Sequence, residues 1–196
     1  MRHGRLPWLH PDELDEAQRQ LYAAITAGPR ATRRRTPLTT PEGRLNGPFN
    51  ALLTNPPVGD ALQAVGSSLR FSGILPRHLF EVLVLLVAVE RHAAYEWYAH
   101  APIASAAGIT DQQLAELAEG RDPDLADAGE RAAFRLARAC LAHRDPGDEL
   151  VAEVEAAFGR AGVTEVVATI GFYDLLGTLM RTWATPLPDD APDPLA

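Results

Sequence analysis

The sequence predicts an all-helical, single-domain protein over residues 1–196, with about seven or eight helices. Apolar residues recur three and four positions apart along most of the chain, which is the period of a helix that buries one face. Helix-capping residues precede several of these segments. Residues 82–89 have strong β propensity, but no second segment of that character is available to pair with them.

The N-terminal part predicts one helix followed by an arm. Pro11 is placed to open the helix, and Gly28 with Pro29 to end it; the apolar face consists of Leu14, Ala17, Leu21 and Ile25. Residues 29–56 are rich in Pro, Gly, Thr and Arg and predict a long ordered arm, whose basic run at 33–35 is expected to be solvated. An arm of this length usually lines a site or wraps a partner. Asn55 is expected to cap the next helix.

The most apolar segment lies in the middle of the chain. A helix over about 76–90 is favoured because Arg77 and Glu81 occur at helix-like intervals beside the apolar run. A helix that is apolar on every side lies at the centre of a fold. Residues 94–107 predict the next helix, with Gly108 as its C-terminal stop.

The last third predicts four helices and a frayed tail. Thr110 with Gln113, and Asp127 with Glu130, each form a capping box that opens a helix, and the two helices end near Gly120 and His143. Residues 148–158 predict a further helix. Thr164 is expected to cap the last one, which runs to about Trp183 and leaves residues 186–196 as the tail.

Composition excludes several classes of function. The formal net charge of −8 is a poor match for nucleic acid or for an anionic membrane surface. The chain has one cysteine, Cys140, so it can form neither an internal disulfide nor a Cys-x-x-Cys site. Cys140 is expected to be buried and inert. Since no signal peptide is recognisable and the longest apolar run is too short to span a bilayer, a cytoplasmic location is expected.

The densest group of chemically useful residues lies at 95–100. Glu96 and His100 are four positions apart, so a helix places both on one face, where they can exchange a proton at neutral pH. Glu81 is the one acidic residue within an otherwise apolar run, and a buried acid beside an ionisable pair indicates a functional site. Glu-x-x-x-His alone is also common in exposed ion pairs, but the bulky Tyr95, Trp97 and Tyr98 favour burial here.

This pattern resembles the carboxymuconolactone decarboxylase family, which includes the alkylhydroperoxidase D-like proteins. The resemblance rests on Glu81, Ala93, Glu96 and His100, together with the residues at 106–109, and is specific over about 47–108. Short motifs at 46–49, 52–53, 55–56 and 75–77 are also similar to the family. In its peroxidase branch a Cys-x-x-Cys occupies the positions held here by Ala93 and Glu96. The sequence is therefore similar to the decarboxylase branch.

The resemblance implies a fold in which the Glu81 and His100 helices are separate and pack together, with the turn near 91–94. It also implies trimers or hexamers, and a cofactor-free decarboxylation of a carboxylated lactone or similar small oxygenated compound. His100 would be the proton donor, Glu96 a second acid–base group and Glu81 their support. The expected substrate-binding residues are Arg77, Tyr95, Trp97, Phe49, Asn50 and Asn46, with Tyr173, Arg181 and Trp183 as weaker candidates.

Other interpretations remain open on the sequence alone. His92, Glu96 and His100 could bind a metal only if the helix breaks near His92, because the two histidines would otherwise lie about 12 Å apart. We therefore expect no metal. The protein could also be an isomerase, dehydratase or lactone-processing enzyme, or a non-catalytic binding protein, since a fold does not fix a function.

Overall fold

The computed structural model describes residues 1–27, 36–188, 191 and 195, and confirms an all-helical fold. Within that part of the chain there are eight α-helices: α1 (Glu16–Ala27), α2 (Pro48–Leu52), α3 (Pro56–Phe71), α4 (Arg77–Glu90), α5 (Ala94–Ala106), α6 (Asp111–Ala118), α7 (Ala128–Leu141) and α8 (Gly147–Trp183). A 3-10 turn spans Pro11–Glu13. The N-terminus forms a small antiparallel hairpin, β1 (Arg2–His3) with β2 (Leu6–Pro7), which the sequence analysis did not predict.

The contacts between residues divide the chain into two units. The first contains residues 1–72 and 178–192, and the second contains residues 73–177 and 193–196. The organisation as a single domain stays a prediction.

The first unit has a core in which α1 and the predicted arm pack together. The arm is not merely a loop, since α2 lies within it and Thr39 bridges to Leu45. The buried core residues are Leu14, Leu21, Ile25, Leu38, Leu45, Phe49, Leu52 and Leu53. The arm is therefore ordered where it is described because its apolar side chains complete this core. Residues 28–35, with the expected helix end and basic run, lie outside the described residues.

The start of α1 differs from the expectation. Pro11 opens the 3-10 turn and not the helix, so that prediction was wrong. Asp15 and Gln18 provide the reason: the Gln18 backbone N–H donates to the Asp15 carboxylate at 2.8 Å, and the Asp15 backbone N–H donates to the Gln18 side chain at 3.0 Å. This reciprocal cap fixes the helix start after Asp15. Asn55 does precede α3, but its side chain makes no capping hydrogen bond.

The second unit is built around α4. All residues from 79 to 88 are buried, as expected for a central helix, and α4 contacts α5, α6 and α7. The chain turns between α4 and α5 at His92, whose φ of 47° lies in the left-handed region, which confirms the turn near 91–94. Thr110 and Gln113 form the predicted capping box of α6, and the Asp127 side chain accepts a hydrogen bond from the Glu130 N–H at the start of α7.

The long α8 contains a break at Gly159, where φ is 68° and ψ is 175°. Two helices in this region are confirmed, but the expectation that Thr164 caps the second was wrong. The Thr164 hydroxyl instead donates to the carbonyl oxygen of Arg160 at 3.1 Å, inside the helix. Glycine adopts the backbone angles of residue 159 without the steric cost that a Cβ would add.

Among the described residues, α8 is the one helix with the length and composition to cross a membrane, which is weak evidence because core helices meet the same criteria. The cytoplasmic location stays a prediction. In the expected frayed tail, residues 189–190, 192–194 and 196 lie outside the described residues.

Candidate active site

The α4–α5 turn brings Glu81 and His100 together in the second unit. His100 Nδ1 lies 2.6 Å from Glu81 Oε2, and the two side chains are 2% and 0% exposed. The two residues are 19 positions apart in sequence and lie on different helices. The pair therefore forms only because α4 and α5 pack together. Burial strengthens their interaction because the surroundings have a lower dielectric constant than water.

Glu96 approaches the other nitrogen of the same imidazole. His100 Nε2 lies 3.3 Å from Glu96 Oε2, and the Glu96 side chain is 6% exposed. The contact follows from the i, i+4 spacing on α5. Glu96 also lies in the first turn of α5, where the helix dipole favours a negative charge. The structure therefore brings the three predicted acid–base residues into one buried cluster.

Arg77 completes the cluster on its more exposed side. Its guanidinium Nη2 lies 2.5 Å from Glu81 Oε1, and its side chain is 38% exposed. The guanidinium also lies over the ring of Phe80, 5.3 Å from the ring centroid. Arg77 thus compensates the charge of a carboxylate that is removed from water, which is what allows Glu81 to be buried as an anion.

A tyrosine from α8 contacts the imidazole from the side. The rings of Tyr173 and His100 are 5.2 Å apart at an angle of 85°, and Tyr173 is 2% exposed. Tyr173 also contacts Phe80 edge-on, with ring centroids 6.0 Å apart. The ring of His100 is therefore held between two carboxylates along its nitrogen axis and an aromatic side chain at its edge.

These contacts give the two nitrogens of His100 different partners. Glu81 is paired with Arg77 and accepts hydrogen bonds as a carboxylate, so His100 Nδ1 carries a hydrogen directed at it. The other nitrogen, Nε2, faces Glu96 Oε2, so a hydrogen on Nε2 would be directed at that carboxylate. Proton exchange at Nε2 would leave the Glu81 contact unchanged.

Comparison with known families identifies the fold. Residues 56–139, which cover α3 to most of α7, match the model of the carboxymuconolactone decarboxylase family. Over these residues the chain resembles this family. A search of curated proteins gives no significant match.

Several solved structures share the fold of this chain at low sequence identity. The alkylhydroperoxidase AhpD core of an uncharacterized peroxidase-related protein from Ralstonia eutropha JMP134 has a TM-score of 0.74 and 17% identity, covering 97% of this chain and 95% of its own. The debrominase Bmp8, in a Cys-to-Ala variant bound to 2,3,4-tribromopyrrole, has a TM-score of 0.67 and 15% identity, covering 96% and 92%. A putative antioxidant defence protein AhpD from Agrobacterium tumefaciens has a TM-score of 0.62 and 17% identity, covering 72% and 97%.

Three of the expected substrate-binding residues belong to the first unit. Phe49 lies in the apolar core there. Asn50 is fully buried and bonds to backbone on both sides, accepting from the Leu9 N–H at 3.2 Å and donating to the Pro7 carbonyl at 2.9 Å. The Asn46 side chain donates to the Pro37 carbonyl at 3.2 Å. These contacts account for the residues structurally, and their role toward a substrate stays a prediction.

Tyr95 and Trp97 lie in the second unit, on the same turn of α5 as Glu96. Both are buried, and the Tyr95 ring packs against Tyr98 with centroids 5.9 Å apart. The expected burial is confirmed for Tyr95 and Trp97, whereas Tyr98 is half-buried. Sequence reasoning placed Tyr173 only among its weaker candidates, since a tyrosine in an apolar helix carries no signal of a contact with a histidine 73 positions earlier.

The candidate metal ligand His92 and the lone cysteine are less favourably placed for chemistry. His92 is exposed, whereas Glu96 and His100 are buried. Within the described ranges, no group of three His, Cys, Asp or Glu side chains is arranged to hold a metal ion. Cys140, expected to be buried, is half-buried on α7, and desolvation raises the pKa of its thiol.

Proposed function

We propose that the protein is an acid–base enzyme that decarboxylates a small carboxylated, unsaturated lactone or similar oxygenated compound. One observation carries the proposal: a single imidazole is held between two buried carboxylates, one at each ring nitrogen. A buried cluster of this kind is costly to maintain unless its groups are fully paired or serve a reaction. The family match supports the same class of chemistry.

The proposed reaction needs only proton transfer from the protein. The bond between the substrate carbon and its carboxylate breaks, carbon dioxide leaves, and the electron pair passes into the conjugated carbonyl to give a dienolate. His100 Nε2 then donates its proton to carbon, and water restores that proton. The reaction needs no cofactor because the conjugated carbonyl of the substrate accepts the electrons.

The surrounding residues have distinct proposed roles. Glu96 is a second acid–base group that shares the transferable proton with His100. Glu81 is a positioning residue, because it fixes the ring and the tautomer of His100. Arg77 would bind an anionic group of the substrate at the more exposed side of the cluster, and Tyr95 and Trp97 would line the binding site. The trimeric or hexameric state implied by the family stays a proposal.

Thiol peroxidase chemistry is disfavoured by the residues present. That chemistry requires a thiolate nucleophile and a second, resolving thiol. The chain has one cysteine, and the positions of the family's Cys-x-x-Cys hold Ala93 and Glu96. Cys140 also has a raised pKa, so little of it is thiolate at neutral pH.

The test is turnover of a panel of carboxylated unsaturated lactones in deuterated water, measured by carbon dioxide release and by deuterium incorporation into the product. We expect His100→Gln and Glu96→Gln to lower kcat by at least about a hundredfold. His78→Gln is the matched control, since it also removes a histidine paired with a glutamate, 2.6 Å from Glu130. Full turnover by the first two variants would contradict the proposal.

An isomerase, dehydratase or other lactone-processing activity would use the same proton and remains the second candidate. It would incorporate deuterium without releasing carbon dioxide. A non-catalytic binding protein would show neither, and His100→Gln would change only its affinity.

A further inference from the structure

A buried hydroxyl on α8 has no partner within the described part of the chain. Thr169 is fully buried, and its Oγ1 makes no hydrogen bond to any described residue. A buried polar group without a partner costs about 1–3 kcal/mol and is rare in native structures. Its presence therefore requires an explanation.

The hydroxyl of a threonine within a helix often donates to the carbonyl oxygen four residues earlier, and Thr169 does not make this bond. The hydroxyls of Thr26, Thr164 and Thr182 each donate to the carbonyl oxygen four residues earlier, at 2.8, 3.1 and 2.8 Å. Thr164 lies on the same helix as Thr169. The Thr169 hydroxyl makes no such bond, so it is available to a group outside its own helix.

The position of Thr169 on α8 shows what the hydroxyl lies near. Glu165, Thr169 and Tyr173 are spaced four apart and share one helix face. Glu165 accepts hydrogen bonds from the N–H groups of Ile74 at 2.7 Å and Leu75 at 3.2 Å, just before α4. Tyr173 contacts Phe80 and His100.

Both ends of this helix face are thus anchored within the second unit. One end is held against the start of α4 and the other against the histidine of the candidate active site. Thr169 lies midway, about 6 Å along the helix axis from each anchor. The two anchors contact Leu75 and Phe80, and the chain between these residues includes Arg77.

We propose that the Thr169 hydroxyl is a substrate-binding group of this site and donates a hydrogen bond to the lactone carbonyl oxygen. The inference rests on the proposed function, and it names the part of the substrate that is recognised at this position. The carbonyl oxygen gains negative charge as carbon dioxide leaves, so a fixed donor inside a dry site stabilises the transition state. A threonine hydroxyl held away from its own backbone supplies that donor without rearrangement.

The test compares two unreactive probes. The first, 5-oxotetrahydrofuran-2-carboxylate, has a lactone carbonyl but no conjugation, so it cannot decarboxylate by the proposed route. The second, tetrahydrofuran-2-carboxylate, lacks the carbonyl. Calorimetric titration of wild type, Thr169→Val and Thr169→Ser gives the affinity of each protein for each probe.

Wild type is expected to bind the first probe more tightly than the second. Thr169→Val keeps the side-chain shape and removes the donor. It should therefore lower the affinity for the first probe about three- to tenfold and leave the affinity for the second probe unchanged. Thr169→Ser should behave as wild type. Thr169→Val should also be at least as stable as wild type to urea, because it removes an unpaired hydroxyl from the interior.

The inference is overturned if wild type shows no preference for the carbonyl-bearing probe, or if Thr169→Val binds both probes as wild type does or loses both equally. The two proposals can fail separately. A carbonyl preference that depends on Thr169, without carbon dioxide release from any lactone, keeps this contact and rejects decarboxylation. If carbon dioxide release depends on His100 but Thr169→Val keeps the preference for the carbonyl-bearing probe, decarboxylation is supported and the Thr169 contact is rejected.

Discussion

The carboxylate of Glu81 on α4 and the imidazole of His100 on α5 lie 2.6 Å apart, with both side chains almost fully buried. The half-exposed guanidinium of Arg77 approaches the other oxygen of the same carboxylate at 2.5 Å. Glu81 is thus shared between a permanent cation and a group that can gain or lose a proton. This arrangement fixes one nitrogen of His100 and leaves the other for chemistry.

Glu81→Gln tests whether that arrangement supports the reaction. The amide keeps the volume but removes the charge, so we expect kcat to fall about a hundredfold with little change in KM. Breaking a buried ion pair should also lower the free energy of unfolding by about 3 kcal/mol. Steady-state kinetics across pH and urea unfolding measure the two effects.

Glu130→Gln is the matched control, because it makes the same change in a His78–Glu130 pair of the same length, with half-buried His78. It should leave kcat and the pH profile unchanged. If Glu81→Gln matched the control in both, Glu81 would have no positioning role.

The local part of this site could be predicted from the sequence. Glu96 and His100 are neighbours on any helix that contains them, and Glu81 stands out because the apolar run around it predicts burial. The turn between α4 and α5 follows once both segments are helices that must pack together. These inferences rest on the three- and four-residue spacing of a helix, and the structure has helices at these segments.

The rest depends on packing between distant segments. Tyr173 and Thr169 acquire their significance only from the way in which α8 lies along α4, and no local pattern encodes that relation. Pro11 and Thr164 were plausible helix starts, yet stronger local features nearby prevailed: the Asp15–Gln18 cap in one case and the Gly159 break in the other. Competing signals within a few residues are resolved by their relative energies and not by pattern alone.

Tyr173 should stabilise the imidazole through its ring. The edge-on contact between Tyr173 and His100 is worth about 0.5–1.5 kcal/mol beyond simple burial. Tyr173→Leu should therefore lower the free energy of unfolding by at least about 1 kcal/mol, because it removes the aromatic contact and part of the buried side-chain volume. It should also broaden the nitrogen NMR signals of the His100 ring, because the ring gains freedom.

Tyr173→Phe keeps the ring contacts with His100 and Phe80 and is the control for this change. Sharp ring signals in Tyr173→Leu, equal to those of wild type, would show that the tyrosine does not restrain the histidine.

Gly159 should be required for the break in α8. Its φ of 68° and ψ of 175° fall in a region that is essentially restricted to glycine. No atom lies within 4 Å of where a Cβ would stand, so any cost of Gly159→Ala comes from the backbone and not from a clash. We expect a loss of about 1–3 kcal/mol in urea unfolding.

Gly171 provides the matched substitution. It lies on the same helix, is exposed, has helical geometry and also has open space at its Cβ position. Gly171→Ala should leave stability unchanged or raise it by about 0.5–1 kcal/mol, because alanine favours the helix. If Gly159→Ala and Gly171→Ala changed the free energy of unfolding equally, the backbone conformation at position 159 would impose no cost on a residue that has a Cβ.

His3 should make the stability of the protein depend on pH. The residue is 4% exposed, and its ring centroid lies 4.8 Å from that of Trp8. Burial lowers the pKa of His3 below its usual value of 6.5, because the cation loses hydration. Between the two values the unfolded chain binds more protons than the folded chain, so stability is complete above about pH 6.5 and falls as the pH is lowered below it.

His3→Phe removes the titrating group and keeps an aromatic ring beside Trp8. Urea unfolding at about pH 7.5 and about pH 5 should show that wild type loses more stability than His3→Phe over this interval. His92→Asn is the control, since His92 is exposed and asparagine tolerates its left-handed backbone. An identical loss in wild type and His3→Phe would assign the acid sensitivity to other groups.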